Sequence, residues 1–163
     1  MKIKTFYSLF YRHRIQKASF LRKIYLLIFI IPIKYFINYF YFEKKVNLDK
    51  LSESKMFLFD KDLNYLFEYF NSDKGEKFTD QYMQPSKKNS NIIKAHGYSK
   101  FYHEIFYNIK NEKINIMEIG SFYGNASAAL FFYFKNANIF GADINPDMFK
   151  YKSKRIKSFQ VDS

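Results

Sequence analysis

Apolar residues gather first between Ile24 and Phe42, in the stretch IYLLIFIIPIKYFINYFYF, which only Pro32, Lys34 and Asn38 interrupt. A spanning helix needs about 20 mostly apolar residues, and a lysine near its centre costs roughly 3 kcal/mol on insertion. The stretch therefore reads as an interfacial or re-entrant anchor, with a true span and an N-terminal helix pair packed on the domain as the alternatives. Bulky aromatics follow it instead of a small-residue cleavage site, which argues against a signal peptide. Residues 43 to 60 are mixed in character and read as a linker.

Helical spacing sets in next. Asp62 is placed to cap a helix carrying Leu63, Leu66, Phe67 and Phe70. Asn71-Ser72-Asp73-Lys74-Gly75 is a turn by composition. Residues 76 to 95 are polar and loop-like, with Pro85 and the Lys87-Lys88 pair. A second amphipathic helix opens at His96-Gly97-Tyr98, with Tyr98, Phe101, Tyr102, Ile105, Phe106 and Ile109 along one side.

The pattern then changes to short apolar runs. Ile114 to Ile119 suits a strand buried on both faces. Gly120 to Gly124 is a tight turn, and Asn125 to Ala129 begins a helix whose small residues let it lie close to a sheet. Ile139 to Ala142 is a second strand, closed by Asp143. Asn145-Pro146-Asp147 forms a turn into a short helix with Met148, Phe149 and Tyr151. Ile156 to Val161 is a third strand, ending at Asp162. Strand, glycine turn, helix and strand predict an α/β fold of the Rossmann-like type. The implied organisation is an arm at 1–45, a helical lead-in at 46–112 and the first half of a cofactor-binding domain at 113–163. A sheet that stops at its third strand leaves an apolar edge, so the chain reads as a truncated form or one completed by another chain.

Composition narrows the classes. The 163 residues suffice for one domain with a core, and the absence of cysteine excludes disulfides and thiolate metal sites. The formal net charge is +12, unevenly spread. Lys2, Lys4, Arg12, Arg14, Lys17, Arg22, Lys23 and Lys34 all precede the first acid, Glu43. Such an end seeks an anionic surface. Residues 1–45 are expected to meet a membrane surface at its cytoplasmic face. No nucleic-acid-binding module accompanies them, so nucleic acid is not an expected partner.

The glycine turn carries the candidate chemistry. Amide N–H groups at the start of a helix after such a turn face the crevice where ligands bind. The dinucleotide fingerprint G-x-G-x-x-G is not met, because the chain offers only Gly120 and Gly124. Glu118 stands two residues ahead of Gly120, where a carboxylate opposes a pyrophosphate. It suits a ligand with a sulfonium, an ammonium and no phosphate, which describes S-adenosylmethionine. Asp143 suits a bidentate grip on ribose hydroxyls. The plain alternative is a glycine turn of another α/β domain, with Asp143 capping the next helix.

The E-I-G-x-x-x-G turn with its downstream acid resembles motif I of class I S-adenosylmethionine-dependent methyltransferases. Ser72-Asp73-Lys74-Gly75 and His96-Gly97-Tyr98 ahead of it resemble the group that includes O-methyltransferases acting on macrolide sugars and in glycan clusters. The resemblance covers roughly residues 63 to 163. It implies methyl transfer to a sugar hydroxyl, often with magnesium, whose ligands and catalytic base would lie later in the fold. No metal ligands are expected in this chain. It also implies that Glu118, Gly120, Ser121, Gly124 and Asn125 embrace the methionine half. Asp143 would hold the ribose and Asp162 the adenine amino group. Asp73, Lys74 and Tyr98 are weaker candidates for cofactor or substrate contact, and His96 is a weak candidate for the base. A solvated turn lysine and a helix-start histidine are the plain readings of Lys74 and His96. The rival functions are a nicotinamide-dependent oxidoreductase and a non-catalytic membrane-peripheral protein. An oligomer is compatible with all three.

Overall fold

A computed structural model describes residues 7, 15–16, 18–33, 35–36, 45–79 and 92–161. The chain forms two compact units, Met1–Lys45 and Val46–Ser163. In the first, α1 (Phe20–Tyr25) continues as a π-helix over Leu26–Ile30. Pro32 accounts for the widening. Its ring would clash with the carbonyl four residues back, and it brings no N–H of its own. The Ile31 N–H reaches back five residues to the Leu26 carbonyl, as in a π-turn. Ile15 and Ile31 are fully buried, with Tyr7, Leu26, Leu27 and Tyr35 around them. Among the described residues no helix is long and apolar enough to cross a membrane.

The expected linker at 43–60 is structured from Val46 onward. β1 (Val46–Asn47) pairs in parallel with Tyr151–Lys152. In α2 (Leu48–Ser54), Asn47 Oδ1 caps the N-terminus by accepting from the Asp49 and Lys50 amides at 3.0 and 3.3 Å. Leu48, and Leu58 in the 3-10 turn Met56–Asp60, are fully buried. Asp49 accepts from the Ser153 hydroxyl at 2.7 Å, so the segment is fastened far along the chain. α3 (Leu63–Tyr69) starts at its Asp62 cap and buries Leu63, Leu66 and Phe67, with Phe70 just beyond, as the spacing predicts.

The polar stretch at 76–95 also differs from the expected loop. β2 (Lys77–Thr79) pairs antiparallel with β3 (Ile92–Lys94). Three-residue strands leave little alternation to read. What holds the hairpin is remote: Asn71, at a φ of 55°, accepts from the Thr79 amide and donates to the Thr79 carbonyl. Pro85, Lys87 and Lys88 lie outside the described residues. In α4 (Ser99–Phe106) the predicted apolar side is divided: Tyr102 and Phe106 pack on the core, whereas Phe101 and Ile105 are exposed.

β4 (Asn115–Ile119), α5 (Asn125–Tyr133) and β5 (Asn138–Asp143) follow, then the 3-10 turn Pro146–Met148. β6 (Tyr151–Lys152) replaces the end of the expected short helix, because Tyr151 is paired to Val46. β7 (Ile156–Gln160) completes a parallel sheet of order β4-β5-β7. Ile116, Ile139 and Ile156 stand in register on one face. α5 shares their core and is buried from Ala126 to Tyr133. Phe59 and Phe70 meet its Phe132, with ring centres 5.0 and 5.5 Å apart. Leu48, Leu63 and Phe67 belong to the same core, so residues 46–112 and 113–163 are not separate bodies. The architecture is mixed α/β with a parallel sheet.

Candidate functional site

Glu118 is the fourth residue of β4, beside Gly141 on β5. It is buried, and its carboxylate has two side-chain partners. The Ser127 hydroxyl, in the first turn of α5, donates to Oε2 at 2.5 Å. The Lys74 ammonium donates to Oε1 at 2.9 Å across 44 residues of sequence. Burial pushes the Lys74 ammonium towards neutrality. The Glu118 carboxylate overrides this by charge and hydrogen bond, with Asp73 and Tyr102 adding, so the lysine's pKa lies above its ordinary value. Lys74 is therefore a charged partner at neutral pH and not a solvated turn residue.

Ser72-Asp73-Lys74-Gly75 and His96-Gly97-Tyr98 form one piece of structure. The amides of His96, Gly97 and Tyr98 donate to the carbonyls of Asp73, Gly75 and Lys74 at 2.8, 2.8 and 2.9 Å. His96 Nε2 stands 3.6 Å from Asp73 Oδ2, and its ring stacks on Tyr98. Both side chains are largely exposed and stand outside the cavity lining, while Asp73 takes part in it.

The glycine turn is held by its own amides. Gly120 and Ser121 donate to the Ala142 carbonyl at 2.8 and 3.1 Å, and Gly124 to Ser121 at 2.7 Å. Gly120 and Gly124 have φ of 75° and 76°, a region costly to other residues. Phe122 shares it at 45°. Its amide donates to Asp143 Oδ2 at 2.8 Å, and the Asn145 amide to Oδ1 at 2.8 Å. Asp143 thus clamps the turn to the end of β5, and it too stands outside the cavity lining. Asp162 lies outside the described residues.

Between the two motifs is a cavity of about 100 Å³. Ser72, Asp73 and Lys74 line one side, Glu118 and the Gly120–Tyr123 turn another, and Asn125 and Ala126 the helix start. Phe78 also lines it. The Ser121 hydroxyl is buried there with no hydrogen-bond partner among the described residues. A buried hydroxyl normally finds one, and such exceptions collect at ligand sites.

Ser127 was legible only as a small helix residue, and Asn71 only as part of a turn. Asn71 also accepts through its carbonyl from the Asn125 side chain at 3.0 Å. The available signal was that asparagine tolerates a left-handed conformation. Among the described residues no three His, Asp or Glu side chains are grouped to hold a metal. In comparisons with known proteins, no family model matches the chain and no curated protein does.

Proposed function

We propose that the Val46–Ser163 unit is a Rossmann-like, class I methyltransferase domain that binds S-adenosylmethionine and serves methyl transfer to oxygen, on a sugar hydroxyl of a glycan or glycosylated metabolite. One observation carries the reading. Ser72–Gly75 and Glu118–Gly124, far apart in sequence, meet around one cavity through the Lys74–Glu118 ion pair. The residues fit the methionine end of the cofactor. Lys74 has donors beyond the one spent on Glu118, the Ser121 hydroxyl has no partner among the described residues, and Asp73 suits an ammonium, while the Glu118 charge is already matched by Lys74. A cavity of about 100 Å³ has room for a few water-sized groups, enough for an amino and carboxylate end but not for the whole cofactor. When bound, the cofactor supplies an electrophilic methyl on sulfur. The chain's residues orient it, and orientation accounts for much of the rate in such transfers. Asp143 retains lone pairs for ribose hydroxyls beyond its two backbone bonds.

Thermal unfolding of the full chain with S-adenosylhomocysteine tests this. Ligand at about a hundred times its dissociation constant adds about 2.7 kcal/mol, a rise of roughly 5–15 °C in Tm. Lys74→Met lowers the starting Tm by breaking a buried pair, so the ligand-induced shift is the readout, and it should largely vanish. A shift with NADH and none with S-adenosylhomocysteine would transfer the site to nicotinamide chemistry. No shift with either would end the cofactor reading.

A further inference from the structure

The first unit presents an apolar surface that the cofactor reading does not use. Phe20, Leu21, Ile24, Tyr25, Ile28 and Phe29 lie along α1 and its π-helical continuation, all exposed. Phe20 and Leu21 are 75% and 79% exposed, and Ile33 and Phe36 extend the row at 57% and 62%. On the other side of the helix Leu26, Leu27 and Ile31 pack with Ile15, whereas among the described residues the Phe20–Phe29 side stays exposed. Contiguous exposed apolar surface of this kind marks an interaction site. The charge beside it names the partner. Arg22 and Lys23 sit on the same helix, and no acid precedes Glu43. A protein groove able to bury this face would meet uncompensated positive charge, whereas an anionic bilayer matches both features. Among the described residues no helix is long and apolar enough to cross the bilayer, so the exposed face is the feature left to meet it.

We propose that Met1–Lys45 is a monotopic anchor that lays the exposed face from Phe20 to Phe36 into the headgroup–acyl boundary of an anionic membrane, with Arg22 and Lys23 on the phosphates. The aromatic and branched side chains enter the boundary and the basic groups remain at the rim. This goes beyond the cofactor reading and stands or falls without it.

Flotation of the full chain with vesicles tests the assignment, because aggregates sink while bound protein rises. Vesicles of phosphatidylcholine with about 30% phosphatidylserine should carry the chain upward at low salt, and pure phosphatidylcholine should carry roughly tenfold less. Leu21→Glu with Phe29→Glu, both at exposed positions, should reduce flotation about tenfold or more. Arg22→Gln with Lys23→Gln should reduce it a few-fold, an effect that fades at about 0.5 M salt. Circular dichroism of each variant confirms that the fold is kept. The proposal is overturned if the wild-type chain stays at the bottom with anionic vesicles. It is equally overturned if the double glutamate variant floats as well as the wild type, since binding would then be adsorption by charge alone.

Discussion

A Cβ on Gly124 would stand 2.6 Å from the Phe149 ring, and one on Gly141 2.5 Å. Phe149 itself is almost fully buried. The two glycines therefore share a neighbour but differ in backbone, since only Gly124 has a positive φ. Gly141→Ala should cost about 2–3 kcal/mol by overpacking. In a Phe149→Leu background most of that penalty should disappear. Gly124→Ala should keep about 1 kcal/mol or more in the same background, because the left-handed backbone is still forced on an L-residue. Urea midpoints of the two double-mutant cycles measure this. Equal alanine penalties with and without the ring would show that Phe149 is not the obstacle.

Arg155 organises the element between the strands. Its guanidinium donates to the carbonyls of Phe131, Phe134 and Ala137 at 3.0, 2.9 and 2.8 Å, and it lies 3.9 Å over the Phe131 ring. These carbonyls include the last ones of α5, which have no partner within the helix. A cation at a helix C-terminus also opposes the helix dipole. Arg155→Met should cost about 2–3 kcal/mol, since it leaves half-buried carbonyls unsatisfied. Arg155→Lys should recover only part of that, because an ammonium cannot reproduce a planar fork with two donor nitrogens. Denaturation midpoints give the cost, and hydrogen exchange should show the loosening confined to the last turn of α5. Uniform loss of protection over the whole unit would contradict a local cap.

The sheet sets a further property of the molecule. Among the described residues β4 is an edge strand, and Met117 and Ile119 on its uncovered face are 60% and 72% exposed. Phe140 and Phe159 stack on each other on the same face, with ring centres 5.9 Å apart. An edge that joins free backbone groups to apolar side chains pairs readily with another chain. Ile119→Lys should lower concentration-dependent self-association in sedimentation velocity while changing Tm by no more than a degree or two. A wild-type chain that is monomeric at the highest attainable concentration, with the variant no different, would show the edge to be inert.

Long apolar patterns were legible in the sequence. The Asp62 cap with its Leu63–Phe70 stripe and the glycine turn carry their physics locally, in spacing, capping and backbone freedom. Ile114–Ile119 was legible as a strand, but not as one buried on both faces: among the described residues β4 lies at the sheet edge, and Met117 and Ile119 are exposed. The sequence by itself thus determined a mixed α/β chain with a glycine turn between two strands. The tertiary structure decided what depends on distant partners. Val46 and Asn47 became a strand because Tyr151 and Lys152 pair with them. Residues 77–79 became a strand because Asn71 holds Thr79. Lys74 became a site residue because burial of Glu118 demands a counter-charge and the Ser72–Gly75 turn supplies it. Hydrophobic periodicity reports which face is buried, whereas a hydrogen bond or ion pair across 44 residues leaves no period to read.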